Sequence, residues 1–231
     1  MQSLILSSND CRAEGAKALA EGLHHNKTLL KLDLAGNRIG AEGTQALAPA
    51  LKEKPLQSLI LSGNDSSTKG AKALATCLNH NKTLVELDLA GNGIGAEGTQ
   101  ALAAALNEKP LQSVILSGND CCAEGGKALA EGLHHSKALV KLELAGNAIG
   151  AEGMQALALA LNDKPLQIVI LSGNDCGTEG AKALATSLHH SKTLVELNLA
   201  GNAIGAEGMQ ALALALNDKP LQIVILSGND C

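Results

Sequence analysis

No Phe, Trp or Tyr occurs anywhere in the 231 residues. Stacking of nucleic-acid bases and aromatic anchoring of an interface are therefore both excluded. Arginine is scarce, present only as Arg12 and Arg38. The 18 Lys+Arg against 23 Asp+Glu leave a net charge of -5, the wrong sign for a phosphate-backbone footprint, so no nucleic-acid partner is expected. No apolar run approaches the roughly 20 residues that span a bilayer, and no secretion signal follows Met1; no membrane partner is expected either. What remains is a chain with 45% hydrophobic and 18% charged residues, too apolar to stay disordered.

Its organisation is periodic. LQSLILSGND begins at Leu56, LQSVILSGND at Leu111, and LQIVILSGND at Leu166 and Leu221, in steps of 55 residues. A related segment lies inside each step: LLKLDLAGN from Leu29, LVELDLAGN from Leu84, LVKLELAGN from Leu139 and LVELNLAGN from Leu194. The recurrent asparagines are Asn9, Asn37, Asn64, Asn92, Asn119, Asn147, Asn174, Asn202 and Asn229, with spacings alternating 28 and 27. The unit is a pair of half-repeats, each reading LxxLxLxxN followed by a helical stretch. The whole of 1–231 reads as one array of eight half-repeats plus a partial ninth, without recognisable capping repeats.

This pattern resembles the leucine-rich repeat, and the spacing near 28 with the xGAEGxxALAxAL tail is similar to its ribonuclease-inhibitor class. The resemblance implies an α/β solenoid, a right-handed horseshoe with a parallel sheet on the concave face and helices on the convex face. It implies a protein-binding role without naming the ligand. Two features depart from that class. Alternate half-repeats have 27 residues, and every ladder position is Asn where that class alternates Asn with Cys. Its aromatic-rich contact surface is also missing, so its ligand is not carried over.

The physics of the half-repeat agrees. Leu32 and Leu34 alternate with other residues, as an inward-facing strand requires. Returning through a helix makes successive strands parallel. Parallel strands sit about 4.8 Å apart and helices about 8–10 Å, so the stack must bend toward the sheet. The ladder asparagine is expected to satisfy a buried bend whose backbone groups lack sheet partners. Ile39, Ile94, Ile149 and Ile204 should enter the core, with Cys11, Ser66, Cys121, Cys176 and Cys231 at the matching positions. From the helices, Ala18, Leu19 and Leu23, or Ala46, Leu47 and Leu51, are expected inside.

Residues 144–176 and 199–231 are identical over 33 positions, which means recent duplication or deliberate design. Pro49, inside an expected helix, is not what a strict consensus design would choose. End repeats of such arrays usually carry polar caps, and none is recognised. A fragment of a longer array, an engineered array, and association through uncapped ends are the three explanations.

Motifs that suggest chemistry dissolve into the repeat. Gly93-Ile94-Gly95-Ala96-Glu97-Gly98 fits the dinucleotide fingerprint GxGxxG, but Arg38, Ala148 and Ala203 stand where Gly93 does. His24, His25, His80, His134, His135, His189 and His190 follow the helices, where adjacent side chains diverge and a cation favours the helix end. Of the six cysteines, Cys176 and Cys231 share a column about 10 Å apart, Cys11 and Cys121 lie further apart still, and Cys121 and Cys122 are sequence neighbours that pair poorly, so reduced thiols and a cytoplasmic location are expected. No catalytic residue, cofactor or metal site is assigned, and an enzyme is not expected.

The concave face is the candidate binding surface. One outward column holds Asp33, Ile60, Asp88, Ile115, Glu143, Ile170 and Ile225; its neighbour holds Ile168 and Ile223. Isoleucine stripes alternate with acidic ones, and Ile168, Ile170, Ile223 and Ile225 should form an exposed apolar cluster. The expected function is a non-enzymatic protein-interaction module in a larger intracellular protein. The alternative is an engineered or reconstructed scaffold with no dedicated ligand.

Overall fold

The computed structural model describes residues 1–230 except 53, 108, 135, 163, 190, 218 and 219. His135, His190 and Cys231 therefore lie outside the described residues. Among those described, strands and helices alternate from end to end. The strands are β1 (Ser3–Ile5), β2 (Lys31–Asp33), β3 (Ser58–Ile60), β4 (Glu86–Asp88), β5 (Ser113–Ile115), β6 (Lys141–Glu143), β7 (Ile168–Ile170), β8 (Glu196–Asn198) and β9 (Ile223–Ile225). The helices are α1 (Arg12–Leu23), α2 (Gly40–Leu51), α3 (Ser67–Leu78), α4 (Gly95–Leu106), α5 (Cys122–His134), α6 (Gly150–Ala160), α7 (Gly177–His189) and α8 (Gly205–Leu216).

The sheet runs β1 to β9 in sequence order, every pair parallel. Its register joins equivalent residues: Leu4 pairs with Leu32, Leu32 with Leu59, Leu59 with Leu87. Among the described residues, helix-to-helix packing joins only helices consecutive in the chain. This is the leucine-rich-repeat solenoid, in which no coil can bury its apolar side without a neighbour.

The core lies between the two layers. Leu32, Leu34, Leu59, Leu61, Leu87 and Leu89 are buried, as are Ile39, Ile94, Ile149, Ile204, Cys121 and Cys176. Each such aliphatic side chain contributes about 1.5–3 kcal/mol over an exposed one. The helix faces are rotated from expectation. In α2, Thr44 and Ala48 are buried with Leu47 and Leu51, while Ala46 is half-buried. In α1, whose one helix neighbour is α2, Ala18 is exposed and Leu19 half-buried. The small residues permit this close approach. A Cβ on Gly43 would come within 2.4 Å of Ile39 Cγ2 and 2.9 Å of Ala16 Cβ.

The asparagine ladder is built as expected and does more than expected. Asn92, wholly buried, donates Nδ2 to the carbonyls of Leu61 (2.9 Å), Leu89 (2.9 Å) and Ala90 (3.1 Å). Its Oδ1 accepts the amides of Asn64 (3.3 Å) and Ser66 (3.1 Å) in the preceding coil. Its backbone carbonyl accepts the Ser67 amide at the start of α3, 2.9 Å away. No side-chain cap bonds are made at the starts of α1 to α4; the asparagine of the next coil takes that part.

The bend demands left-handed backbone. Asp10, Asp65, Asp120, Asp175 and Asp230 lie at φ 52–54°, and Arg38, Ala148 and Ala203 at 50–53°. Asp is among the residues that tolerate this region; Ala and Arg adopt it because the ladder holds them there. Gly93, at φ 57°, shares the column of Arg38, so its place in the GxGxxG string answers a backbone requirement of the coil.

Candidate partner-binding face

Outward strand positions form two continuous columns. One pairs Lys31 with Ser58, Ser58 with Glu86, Ser113 with Lys141, Lys141 with Ile168 and Glu196 with Ile223. The other pairs Asp33 with Ile60, Ile60 with Asp88, Asp88 with Ile115, Ile115 with Glu143, Glu143 with Ile170 and Asn198 with Ile225. The side chains expected to share one face therefore share it.

Their exposure is less uniform than expected. Ile223 and Ile225 are 46% and 37% exposed, whereas Ile168 and Ile170 are half-buried, as are Ile60 and Ile115. The difference is one of neighbours: β7 is flanked on both sides, whereas β9 pairs with β8 alone. The apolar cluster is thus strongest at β9 and fades inward. More exposed aliphatics sit on the helices. Leu159 of α6 and Leu214 of α8 are 72% and 66% exposed. Their column also holds Pro49 and Ala104, so the signal was a position where the repeat accepts any side chain.

Several carboxylates have local duties. Asp33 Oδ1 accepts the Ala35 amide at 3.1 Å, and Asp88 Oδ1 the Ala90 amide at 3.0 Å, each closing the turn that leaves its strand. Asn198 does the same for Ala200. Glu143 cannot make this short bond, and the Ala145 amide turns to Ser117 Oγ of the preceding coil. Glu143 pairs instead with Lys141 at 2.7 Å, and Glu86 accepts Ser58 Oγ at 2.6 Å. The face is a mosaic of tied-down acids and half-buried isoleucines, suited to wide, shallow contact.

The other candidates have structural surroundings. The rings of His24 and His25, expected to diverge, meet edge to face at 5.1 Å; His24 has already passed the end of α1. Among the described residues, no group of three or more His, Cys, Asp or Glu is arranged to hold a metal ion. The described cysteines are free. Burial pushes the thiols of Cys77, Cys121 and Cys176 up to about 11, the opposite of what a nucleophile needs. No helix among the described residues is long and apolar enough to cross a membrane.

A set of buried lysines escaped the sequence reading. Lys54, Lys109 and Lys164, each before a proline, are 6–8% exposed. Lys54 Nζ donates to Leu23 O at 2.8 Å, Lys109 Nζ to Asn81 O at 2.6 Å, and Lys164 Nζ to Ser136 O at 2.9 Å. Each ammonium thus closes carbonyls at or just past the C-terminal end of the helix in the preceding half-repeat (α1, α3 or α5), where positive charge is favoured. The 55-residue recurrence of the Lys-Pro pair was the available signal.

Comparison with known proteins places these features. A family model described as "Leucine Rich repeat" matches residues 1–20, 25–48, 80–103, 135–158, 162–185 and 190–213. The mouse NACHT, LRR and PYD domains-containing protein 14 is 36% identical over 90 residues, which is 38% of this chain and 9% of that protein. The pig ribonuclease inhibitor is 33% identical over 90 residues, 38% of this chain and 20% of the inhibitor. The matched stretch is thus a small part of either relative. Among solved structures, the leiomodin-1 actin-binding site 2 aligns over 87% of this chain and 85% of its own, with 14% identity and a TM-score of 0.37.

Proposed function

Since this chain belongs to the leucine-rich-repeat family, in its ribonuclease-inhibitor-like class, we propose that it is a non-enzymatic protein-interaction module whose partner lies along the concave sheet. Leucine-rich repeats are protein-interaction modules. The observation that carries the assignment to this face is the unbroken register of its outward columns, which repeats the same acid and isoleucine chemistry coil after coil. The contacts we assign to a partner are Asp33, Ile60, Asp88, Ile115, Glu143, Ile168, Ile170, Ile223 and Ile225. A partner with cations spaced to meet alternate strands and apolar groups between them fits this mosaic.

A crosslinking pull-down comparing the wild type with Ile168→Glu/Ile223→Glu tests the reading. Loss of specific crosslinks in the variant is expected. Retention of every crosslink removes the concave face from the function. The identity of residues 144–176 and 199–231 favours a second reading, a duplicated or engineered scaffold with no dedicated ligand, which predicts no specific crosslink to either protein. We also read 1–231 as a single array that can associate end to end through β1 and β9. Sedimentation at rising concentration checks this, and a strictly monomeric species throughout rejects it.

A further inference from the structure

Equivalent coils differ at one place in a way that creates a site. Between α6 and α7, beneath the loop that enters β8, lies a cavity of about 460 Å³ lined by Lys137, Lys164, Lys192, Ser187 and Ser191, with a wall that includes Leu161, Leu166 and Leu188. Among the described residues, no acidic side chain lines it. Ser187 is 6% exposed, and its hydroxyl and that of Ser191 are closed off from solvent with no hydrogen-bond partner among the described residues. Buried hydroxyls left this way are destabilising unless something answers them.

The coil at α3 shows what these positions ordinarily do. There Asn81 stands where Ser191 does and Cys77 where Ser187 does. Asn81 Oδ1 accepts the amides of Thr83 (2.9 Å) and Leu84 (2.8 Å), and its Nδ2 donates to the carbonyls of Lys54 and Leu56. The shorter Ser191 does not take over these bonds: its hydroxyl has no partner among the described residues. At α5 the same two positions are Gly132 and Ser136. A Cβ on Gly132 would lie 2.2 Å from Ala103 O, so the helices close in, and Ser136 Oγ bonds Leu111 O at 3.4 Å. At α7, by contrast, the small hydroxyls of Ser187 and Ser191 meet an open cavity.

Among its described lining residues, the cavity therefore gathers donors. Lys164 Nζ spends two of its three N–H bonds on His134 O (3.1 Å) and Ser136 O (2.9 Å), leaving the third. Burial draws its pKa below the ordinary value. Serine has three staggered χ1 wells, and a hydroxyl with no partner is free to turn toward an incoming acceptor.

We propose that this cavity is a binding site for a phosphate-class oxyanion, held by the hydroxyls of Ser187 and Ser191, the Thr193 and Leu194 amides, and the ammonium groups of Lys137, Lys164 and Lys192. A tetrahedral oxyanion takes the place of the Asn81 carboxamide oxygen and answers the same two amides. The leucine wall leaves room for an organic group beyond the phosphate. The site lies on the loop side of the coil, apart from the concave columns, and stands whether or not those columns bind a protein.

The test uses the full chain, titrated by calorimetry and melted with inorganic phosphate or phenyl phosphate against chloride at matched ionic strength. Saturable binding with a rise in Tm is expected, and Lys137→Gln/Lys192→Gln should weaken it by about tenfold or more. Equal affinity for the two probes identifies the bare ion as ligand; tighter binding of phenyl phosphate identifies a monoester. The decisive variant is Ser191→Asn, which recreates the α3 arrangement and keeps every lysine. It should melt at or above the wild-type temperature without phosphate and lose the phosphate response. Either no binding by the wild type beyond the chloride control, or an undiminished response in Ser191→Asn, overturns the proposal.

Discussion

Replacing Asn92 by alanine probes the ladder with an internal control. The three carbonyls that Asn92 Nδ2 serves each keep another donor: Leu61 O has Asn64 Nδ2, Leu89 O has Asn119 Nδ2, and Ala90 O has the Gly63 amide. The loss falls on the amides of Asn64 and Ser66, whose shared acceptor is Asn92 Oδ1. Each buried, orphaned N–H is destabilising by about 1–3 kcal/mol, so Asn92→Ala should lose about 2–6 kcal/mol. Asn9 occupies the same column but is exposed, and the bonds its side chain makes are to Leu6 O and Ser7 O within its own loop. Asn9→Ala should lose less than about 1 kcal/mol, because water replaces those bonds. Urea unfolding measures both. Amide hydrogen exchange adds a local reading, since faster exchange at Asn64 and Ser66 is specific to Asn92→Ala and survives any breakdown of two-state behaviour in the array. Equal stability loss in the two variants would refute the view that Oδ1 holds the preceding coil.

Two glycines in one helix column should respond with opposite sign. Gly22→Ala meets nothing within 4 Å and should stabilise by about 0.5–1 kcal/mol, whereas Gly132→Ala, driven against Ala103 O, should destabilise by about 1–3 kcal/mol in thermal melts. Cys122 sits at φ 56° where the equivalent residue in α7 is Gly177 at φ 61°. Cys122→Gly should therefore raise stability by about 0.5–1 kcal/mol, the relief of left-handed strain exceeding the added chain entropy. A drop in Tm would contradict this. The thiols of Cys77, Cys121 and Cys176 have pKa values raised from 9.0 to about 11. The stability they confer is fully present below pH 9 and lost as pH climbs toward 11, because the unfolded chain ionises first. Lys109 and Lys164, lowered by burial, act in the opposite sense below 10.5. The thiol contribution is read as the difference in alkaline slope between wild type and the triple alanine variant, and identical slopes would disprove it.

The sheet was legible because its signal is local and repeated: a leucine or valine, a leucine two residues on, and an asparagine, nine times over. Helix facing was less legible. Ala46 and Ala48 look alike in sequence, and which one is buried depends on the coil-to-coil approach set by Gly43 and Ile39. Of the candidate face, the columns were readable from period 2 alone. The turn-closing role of Asp33 and Asp88 was not, because it depends on the bend that follows the strand. The lysines before proline were hidden by their chemistry. A cation is ordinarily assigned to the surface, and only the carbonyls of another coil make its burial sensible.

From Asn37 onward, each ladder oxygen faces backward along the chain, completing the bend of the coil before it. The solenoid therefore has a direction as well as a repeat. A coil that loses its successor loses acceptors it cannot replace; one that loses its predecessor keeps its own bend intact. Shortening from the two sides should therefore weaken the remaining stack unequally, and disassembly under load should run inward from the side where each bend has just been left unfinished.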